Sequence, residues 1–212
     1  KMEIYIQTAI MKSALEIASK EETRYYLKGV HFDFGARSYD LVATDGTSLF
    51  AFHSDESKND LYPTPKATDR FTIPSETVKL AIQATGKAAA MPLKVWLDGQ
   101  VICYSLAGIP FQPIDGQYPA WRRVFPESLT HTVQQFDLKN LMKFEKIGRF
   151  LKKNVHISHN DGPCLVTFND ENITGLIMPF NFKSYSPDAK HHIEMFSDRG
   201  FTDATDLQKE SA

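Results

Sequence analysis

One order of local patterns recurs three times along the 212 residues: a short alternating segment, a residue able to cap a helix, an amphipathic helix, then paired strand-like segments. Met2-Glu3-Ile4-Tyr5-Ile6 leads to a helix opening at Thr8, Arg70-Phe71-Thr72-Ile73 to one opening at Ser75, and Thr132-Val133-Gln134-Gln135-Phe136 to one opening at Asp137. Ser, Thr and Asp can accept from the first free amides of a helix. A module of ~60 residues cannot bury its apolar side alone and must stack on its neighbours. The expected fold class is α+β: three repeated strand-helix-strands units, with helices on one face of antiparallel sheets and a function that resides in the assembled surface.

In the first unit the helix is expected over 8–19, with Ile10, Met11, Ala14, Leu15, Ile17 and Ala18 on its apolar side. Strands are expected over 24–30, 39–44 and 48–52, the last two joined by a tight turn at Asp45-Gly46. Residues 54–69, polar and holding Pro63 and Pro65, read as the connection to the second unit. That unit is expected to have a helix over 75–86, ended by Gly86, and strands over 93–97, 101–105 and 109–111, with a turn at Asp98-Gly99. An aromatic irregular segment over 115–126 must pack on something. The third unit has a helix over 138–152 and strands over 154–158, 164–168 and 174–178.

The chain is 42% hydrophobic, enough for a real core in one or two compact domains. No apolar run approaches the ~20 residues of a membrane span, and no secretory pattern opens the chain. Lys1, ahead of Met2, reads as an addition to the natural start. Cys103 and Cys164 lie in apolar strand-like runs and read as buried free thiols, in keeping with a reducing cytoplasm. His156 and His159, like His191 and His192, lack companions at zinc-ligand spacing. No phosphate-cradling loop and no nucleophile with a His and acid escort is present. No catalytic residue, metal or cofactor is therefore expected.

Net charge is −2, so distribution matters more than the sum. Lys139, Lys143, Lys146, Arg149 and Lys153 fall on one face of the third helix, with only Glu145 nearby in sequence, while Leu141, Phe144, Ile147 and Leu151 fall on the other. Lys79 and Lys87 echo this at the second helix and Lys12 at the first. The repulsion among five like charges points to a phosphate-facing surface that grips a nucleic-acid backbone without reading bases.

Four segments resemble one family in its order and near its spacing: Arg24-Tyr25-Tyr26-Leu27-Lys28-Gly29-Val30, Leu41-Val42-Ala43-Thr44-Asp45-Gly46, Asp115-Gly116-Gln117-Tyr118-Pro119-Ala120-Trp121-Arg122-Arg123-Val124-Phe125-Pro126 and Ile177-Met178-Pro179-Phe180. They look like the bacterial DNA polymerase III beta subunit, the sliding clamp, over residues 2 to about 184. The match is to that family's middle domain plus the second half of its last domain. It implies the DNA-clamp fold, with 1–126 a complete clamp-like domain of two units, 127–184 a half domain of one unit, and 185–212 a polar C-terminal tail. Family rings hold twelve units around duplex DNA, helices lining the hole and sheets outside.

The resemblance implies a DNA polymerase processivity factor, not an enzyme, that encircles duplex DNA without sequence specificity. It would tether a polymerase and meet a clamp loader through short hydrophobic peptide motifs. The partner-peptide pocket would be formed by Leu27, Thr44, Gly46, Leu49, Pro119, Arg123, Val124, Leu176, Ile177, Met178 and Pro179, with small Gly46 permitting close approach. Thr47-Ser48 stands where the family usually has His-Arg. In the tail, His192-Ile193-Glu194-Met195-Phe196 imitates a binding peptide. Three units per chain leave the third unpaired, so a homo-oligomer is expected, a tetramer supplying twelve units, in the cytoplasm of a bacterial or phage-infected cell at the nucleoid. The alternative is a truncated relative that captures replication proteins or a host clamp without encircling DNA.

Overall fold

The computed structural model describes residues 2–56 and 70–180. In β1 (Met2–Gln7), Met2, Ile4 and Ile6 point inward while Tyr5 stays exposed. The strand runs straight into α1 (Thr8–Ile17), where Ile10, Met11, Ala14 and Ile17 recur at helical spacing and are all at or below 1% exposure. A short 3-10 segment (Glu22–Leu27) precedes β2 (Gly29–Phe34), β3 (Ser38–Thr44) and β4 (Ser48–Asp55). The second unit is β5 (Arg70–Pro74), α2 (Ser75–Thr85), β6 (Ala90–Asp98), β7 (Val101–Leu106) and β8 (Ile109–Phe111). The third is α3 (Leu138–Leu151), β9 (His156–Ser158), β10 (Cys164–Thr167) and β11 (Ile173–Ile177).

The first two units exchange their opening strands. β1 pairs with β6, giving the sheet β1-β6-β7-β8, and β5 pairs with β2. The second sheet runs β5-β2-β3-β4-β11-β10-β9, because β11 of the third unit adds to β4 from Ile173 opposite Phe52 to Ile177 opposite Ser48. All pairings are antiparallel. The three helices pack on the sheets, with α1 against both α2 and α3. Phe32, Phe34, Tyr39, Phe71, Tyr104 and Phe111 form a linked run of ring contacts that stitches the two sheets together. The opposite face of β3, β4 and β11 is covered too: Val42, Leu49, Ala51 and Leu176 form a second apolar cluster with Leu27 and Tyr118.

The structure departs from the sequence reading in three places, two of them explained by the exchange. Thr8 and Ser75 do not cap their helices. Instead the Thr8 N–H and hydroxyl donate to Ala89 O and Ala88 O, both at 2.8 Å, and the Ser75 N–H donates to Lys28 O at 2.9 Å, so each helix start is held by the other unit's backbone. Only Asp137, which has no such neighbour, caps with its side chain, accepting from the Lys139 N–H at 2.8 Å. Residues 132–136 are not a strand, since no second unit offers them a sheet among the described residues. The first strand after α1 begins at Gly29, not Arg24. Residues 22–27 coil to place Leu27 in the second cluster, and Arg24 leaves helical geometry at φ −111°.

Candidate functional site

An apolar cleft of about 170 Å³ opens where β4 meets β11, on the face away from the helices. Leu27, Leu49 and Leu176 are each at most 4% exposed and make its floor. Val124 and Met178, at 46% and 43% exposure, stand at its rim with Pro119. Thr44, Gly46, Thr47 and Ser48 close one end, and Ala120, Trp121 and Pro163 add to the wall. The volume is below the roughly 300–1,000 Å³ of a small-molecule pocket and suits the apolar side chains of a short peptide.

Eight of the eleven residues expected at this pocket therefore line one cavity. Ile177 does not: strand alternation turns it to the opposite face, where it is fully buried in the helix-side core while Leu176 faces the cleft. Arg123 lines the neighbouring recess, and Pro179 is on neither wall. Gly46 is required for a different reason from the one expected. Its φ is +91°, and the space a Cβ would occupy is filled by the Arg24 guanidinium, which donates to Asp45 O at 3.1 Å.

The β3–β4 turn that ends the cleft is held by Asp45. Its carboxylate accepts from the Thr47 N–H at 2.9 Å, the Thr47 hydroxyl at 2.9 Å and the Ser48 N–H at 2.8 Å, and pairs with Lys143 of α3. Burial alone would raise this carboxyl group's pKa, but the Lys143 hydrogen bond and the two amides outweigh it and hold it below the usual range.

Beside the cleft, and sharing Pro119, Ala120 and Trp121 with it, lies a polar recess of about 460 Å³. Here Asp33 pairs with Arg70 at 3.1 Å and with Arg122, which also reaches Asp40 and lies 4.2 Å over the Trp121 ring. Burial opposes the Arg122 charge, yet the two carboxylates prevail and raise its pKa. His31 stacks on Tyr118 at 4.1 Å and shares a 3.0 Å hydrogen bond with the Thr72 hydroxyl. Its pKa is pulled down to about 4, chiefly by burial. Asp33 works against that shift, Arg70 and Arg122 with it. This recess was missed from sequence, although His31 and Asp33 in one strand and Arg70 and Thr72 in the next carry polar side chains at alternate positions, which is its signal.

The cations expected to face DNA are less bare than their spacing implies. Lys143 pairs with Asp45, Lys146 with Glu16 at 2.8 Å, Arg149 with Glu145 at 2.8 Å and Lys153 with Asp170 at 3.3 Å. Lys79 pairs with Glu76 at 2.5 Å. The premise that only Glu145 lies near these charges is thus corrected: tertiary packing brings three further carboxylates, and Lys153 is not on the helix face at all, because α3 ends at Leu151 and Lys152 turns left-handed at φ +55°. Among the described residues Lys12, Lys87 and Lys139 have no ion pair; Lys87 and Lys139 are exposed and Lys12 half-buried.

Among the described residues no cluster of His, Cys, Asp and Glu could hold a metal ion. His159 instead accepts the Gln134 N–H on Nδ1 at 2.9 Å. Cys164 is buried as expected, whereas Cys103 is only half-buried. No helix among the described residues is long and apolar enough to cross a membrane. His191, His192 and the 192–196 segment lie outside the described residues, as do the 185–212 tail and most of the 54–69 connection.

No family model and no curated protein sequence matches the chain. Solved structures do. The DNA polymerase III beta subunit of Thermotoga maritima matches with a TM-score of 0.60 at 13% identity, that of Pseudomonas aeruginosa with 0.64 at 12%, and that of Caulobacter crescentus with 0.60 at 16%. Each match covers 85% of this chain and 66% of the other, so the chain spans just under two thirds of the length of the clamps it matches. The fold is the α+β fold of these clamps.

Proposed function

We propose that this chain is a reduced sliding clamp, a processivity factor that tethers a DNA polymerase by a peptide held in the apolar cleft. The observation that carries this reading is the cleft itself: a preformed apolar slot at a strand junction of a clamp fold, on the face opposite the helices. Two or three anchors of a hydrophobic peptide would fill it, with Val124 and Met178 at its mouth and Leu27, Leu49 and Leu176 beneath. Tethering works by effective concentration, since a polymerase held beside its template rebinds intramolecularly.

In this reading residues 1–126 act as one complete clamp-like domain and 127–184 as a half domain. The helices face duplex DNA with Lys139, Lys143, Lys146, Arg149, Lys153, Lys79, Lys87 and Lys12. The exposed pairs, Arg149 with Glu145 and Lys79 with Glu76, are worth only about 0–1 kcal/mol and can be exchanged for phosphate, whereas Lys143, Lys146 and Lys153 pair with mostly covered carboxylates. The grip is weak and salt-dependent, as sliding requires. Four copies would supply twelve units for a ring, loaded by a separate opener on bacterial or phage DNA.

The second reading is a regulatory module that captures replication proteins without encircling DNA. The pairing of Lys143, Lys146, Arg149 and Lys153 with the chain's own carboxylates favours it. Retention on circular duplex DNA, lost on linearisation, decides between them. Retention with peptide binding supports the clamp, peptide binding without retention supports the module, and loss of both removes the proposal.

A further inference from the structure

We infer that a second copy of this chain completes the third unit, laying its residues 132–136 along the outer edge of β9 and receiving the same segment in return. The first two units supply the template. β1 leaves its own unit for β6 and β5 leaves its own for β2, each ending where a helix begins. In both, the second residue before the helix is an apolar side chain facing the partner's first strand: Ile6 opposite Met91, and Ile73 opposite Val30.

The third unit carries both halves of this exchange unmade. β9 ends the seven-stranded sheet, so its outer edge has no strand among the described residues. Residues 132–136 precede α3 as β1 precedes α1, yet belong to no sheet, and Val133 is 83% exposed. They are held by the Gln134 N–H to His159 Nδ1 at 2.9 Å, the Phe180 N–H to Gln135 O at 2.7 Å and the Phe136 ring, which packs on the core and 5.5 Å from the His159 ring, a contact the exchange must replace. An unpaired edge and an unpaired strand of the same unit are complementary.

The helix layer repeats the pattern. α1 has helix neighbours on two sides, α2 and α3, whereas α3 packs against α1 alone. The other flank of α3 is an open groove of about 590 Å³ with Leu141, Phe144, Gly148, Val155 and Ile157 along it. Its rim carries both signs, with Glu145 and Arg149 exposed one turn apart. Two α3 helices set antiparallel about a twofold axis between those residues would oppose Glu145 of each copy to Arg149 of the other, while Lys152 and Lys153 leave the groove with an excess of positive charge. By the internal template Phe136 takes the place of Ile6 and Ile73, opposite Ile157 of the other copy.

This deepens the clamp reading by naming what the third unit binds, and it rests on that reading only for the ring. The association assay therefore uses the full chain without DNA, and retention on circular DNA is read separately. In a Cys103→Ser background, Phe136→Cys and Ile157→Cys chains are made separately, checked for an unchanged circular dichroism spectrum, mixed and mildly oxidised. The expected product is a disulfide between position 136 of one chain and 157 of the other, with light scattering giving at least a dimer. Leu141→Glu is expected to weaken association about tenfold or more. A monomer, or a product linked only 157 to 157 or only 136 to 136, overturns the inference. If the interchain link forms but circular DNA is not retained, the exchange stands and the clamp reading fails. Retention on circular DNA without the 136–157 interchain link overturns the exchange and leaves the clamp reading standing.

Discussion

Lys143 reaches from the third helix to the carboxylate of Asp45 in the turn that ends the apolar cleft, so one ion pair ties the helix layer to the outer-face site. Both side chains are mostly covered, 22% and 18% exposed. Asp45 also organises the turn through two amides and a hydroxyl.

Asp45→Ala is expected to cost about 1–3 kcal/mol in chemical denaturation, because it strands a covered ammonium and frees the turn amides. Lys143→Ala should cost less, and the double variant less than the sum. Asp45 stabilises above its unfolded pKa and loses that contribution as pH falls through its depressed folded pKa. Peptide affinity, read by fluorescence anisotropy, should fall in both single variants.

His31 sets a second pH dependence. Its folded pKa is about 4 against 6.5 in the unfolded chain, so the unfolded state binds more protons between those values. Stability should be flat above pH 6.5 and fall as pH drops toward 4, by on the order of 2–3 kcal/mol at pH 4.5. Urea titrations at pH 7.5 and 4.5 check this, and His31→Gln should flatten the difference.

Val124 and Met178 are exposed at the cleft's rim, so Val124→Ala and Met178→Ala should each change stability by no more than about 0.5 kcal/mol. Peptide affinity should nevertheless drop about tenfold in the double variant, near 1.4 kcal/mol. Calorimetric titration with a short peptide that carries two or three apolar anchors, such as Gln-Leu-Ser-Leu-Phe, reads it.

Gly46→Ala meets both a left-handed backbone at φ +91° and the Arg24 guanidinium. A cost of about 1–2 kcal/mol is expected by thermal denaturation. Pairing it with Arg24→Ala should relieve the steric part alone.

Lys139 and Lys87 have no carboxylate partner among the described residues, so their reversal to Glu should weaken DNA retention most. The slope of log affinity against log salt should shrink by about one for each phosphate that is no longer neutralised. Lys146→Glu, beside Glu16, should cost stability as well.

Most elements were legible in the sequence because local rules set them. The helices at Thr8, Ser75 and Leu138 follow apolar spacing, and the turns at Asp45-Gly46 and Asp98-Gly99 follow from residues that tolerate positive φ. The floor of the cleft was legible as well, through Leu27, Leu49 and Leu176. What failed were the statements that needed a partner. Residues 132–136 have an alternating pattern like the other opening segments, yet a strand forms only against another strand's free edge. Ile177 and Leu176 are alike in composition, and only the pairing of β11 with β4 decides which one faces the cleft.

The sequence by itself determined the period of three units, the amphipathic faces and the turn positions, since these depend on residues a few places apart. Tertiary structure alone decided the swap of β1 and β5, the gathering of His31, Asp33, Arg70 and Arg122 into one recess, and the pairing of Lys143, Lys146 and Lys153 with Asp45, Glu16 and Asp170. Charge pairing and strand pairing depend on distance in space, and no spacing along the chain records which distant carboxylate or sheet edge will arrive there.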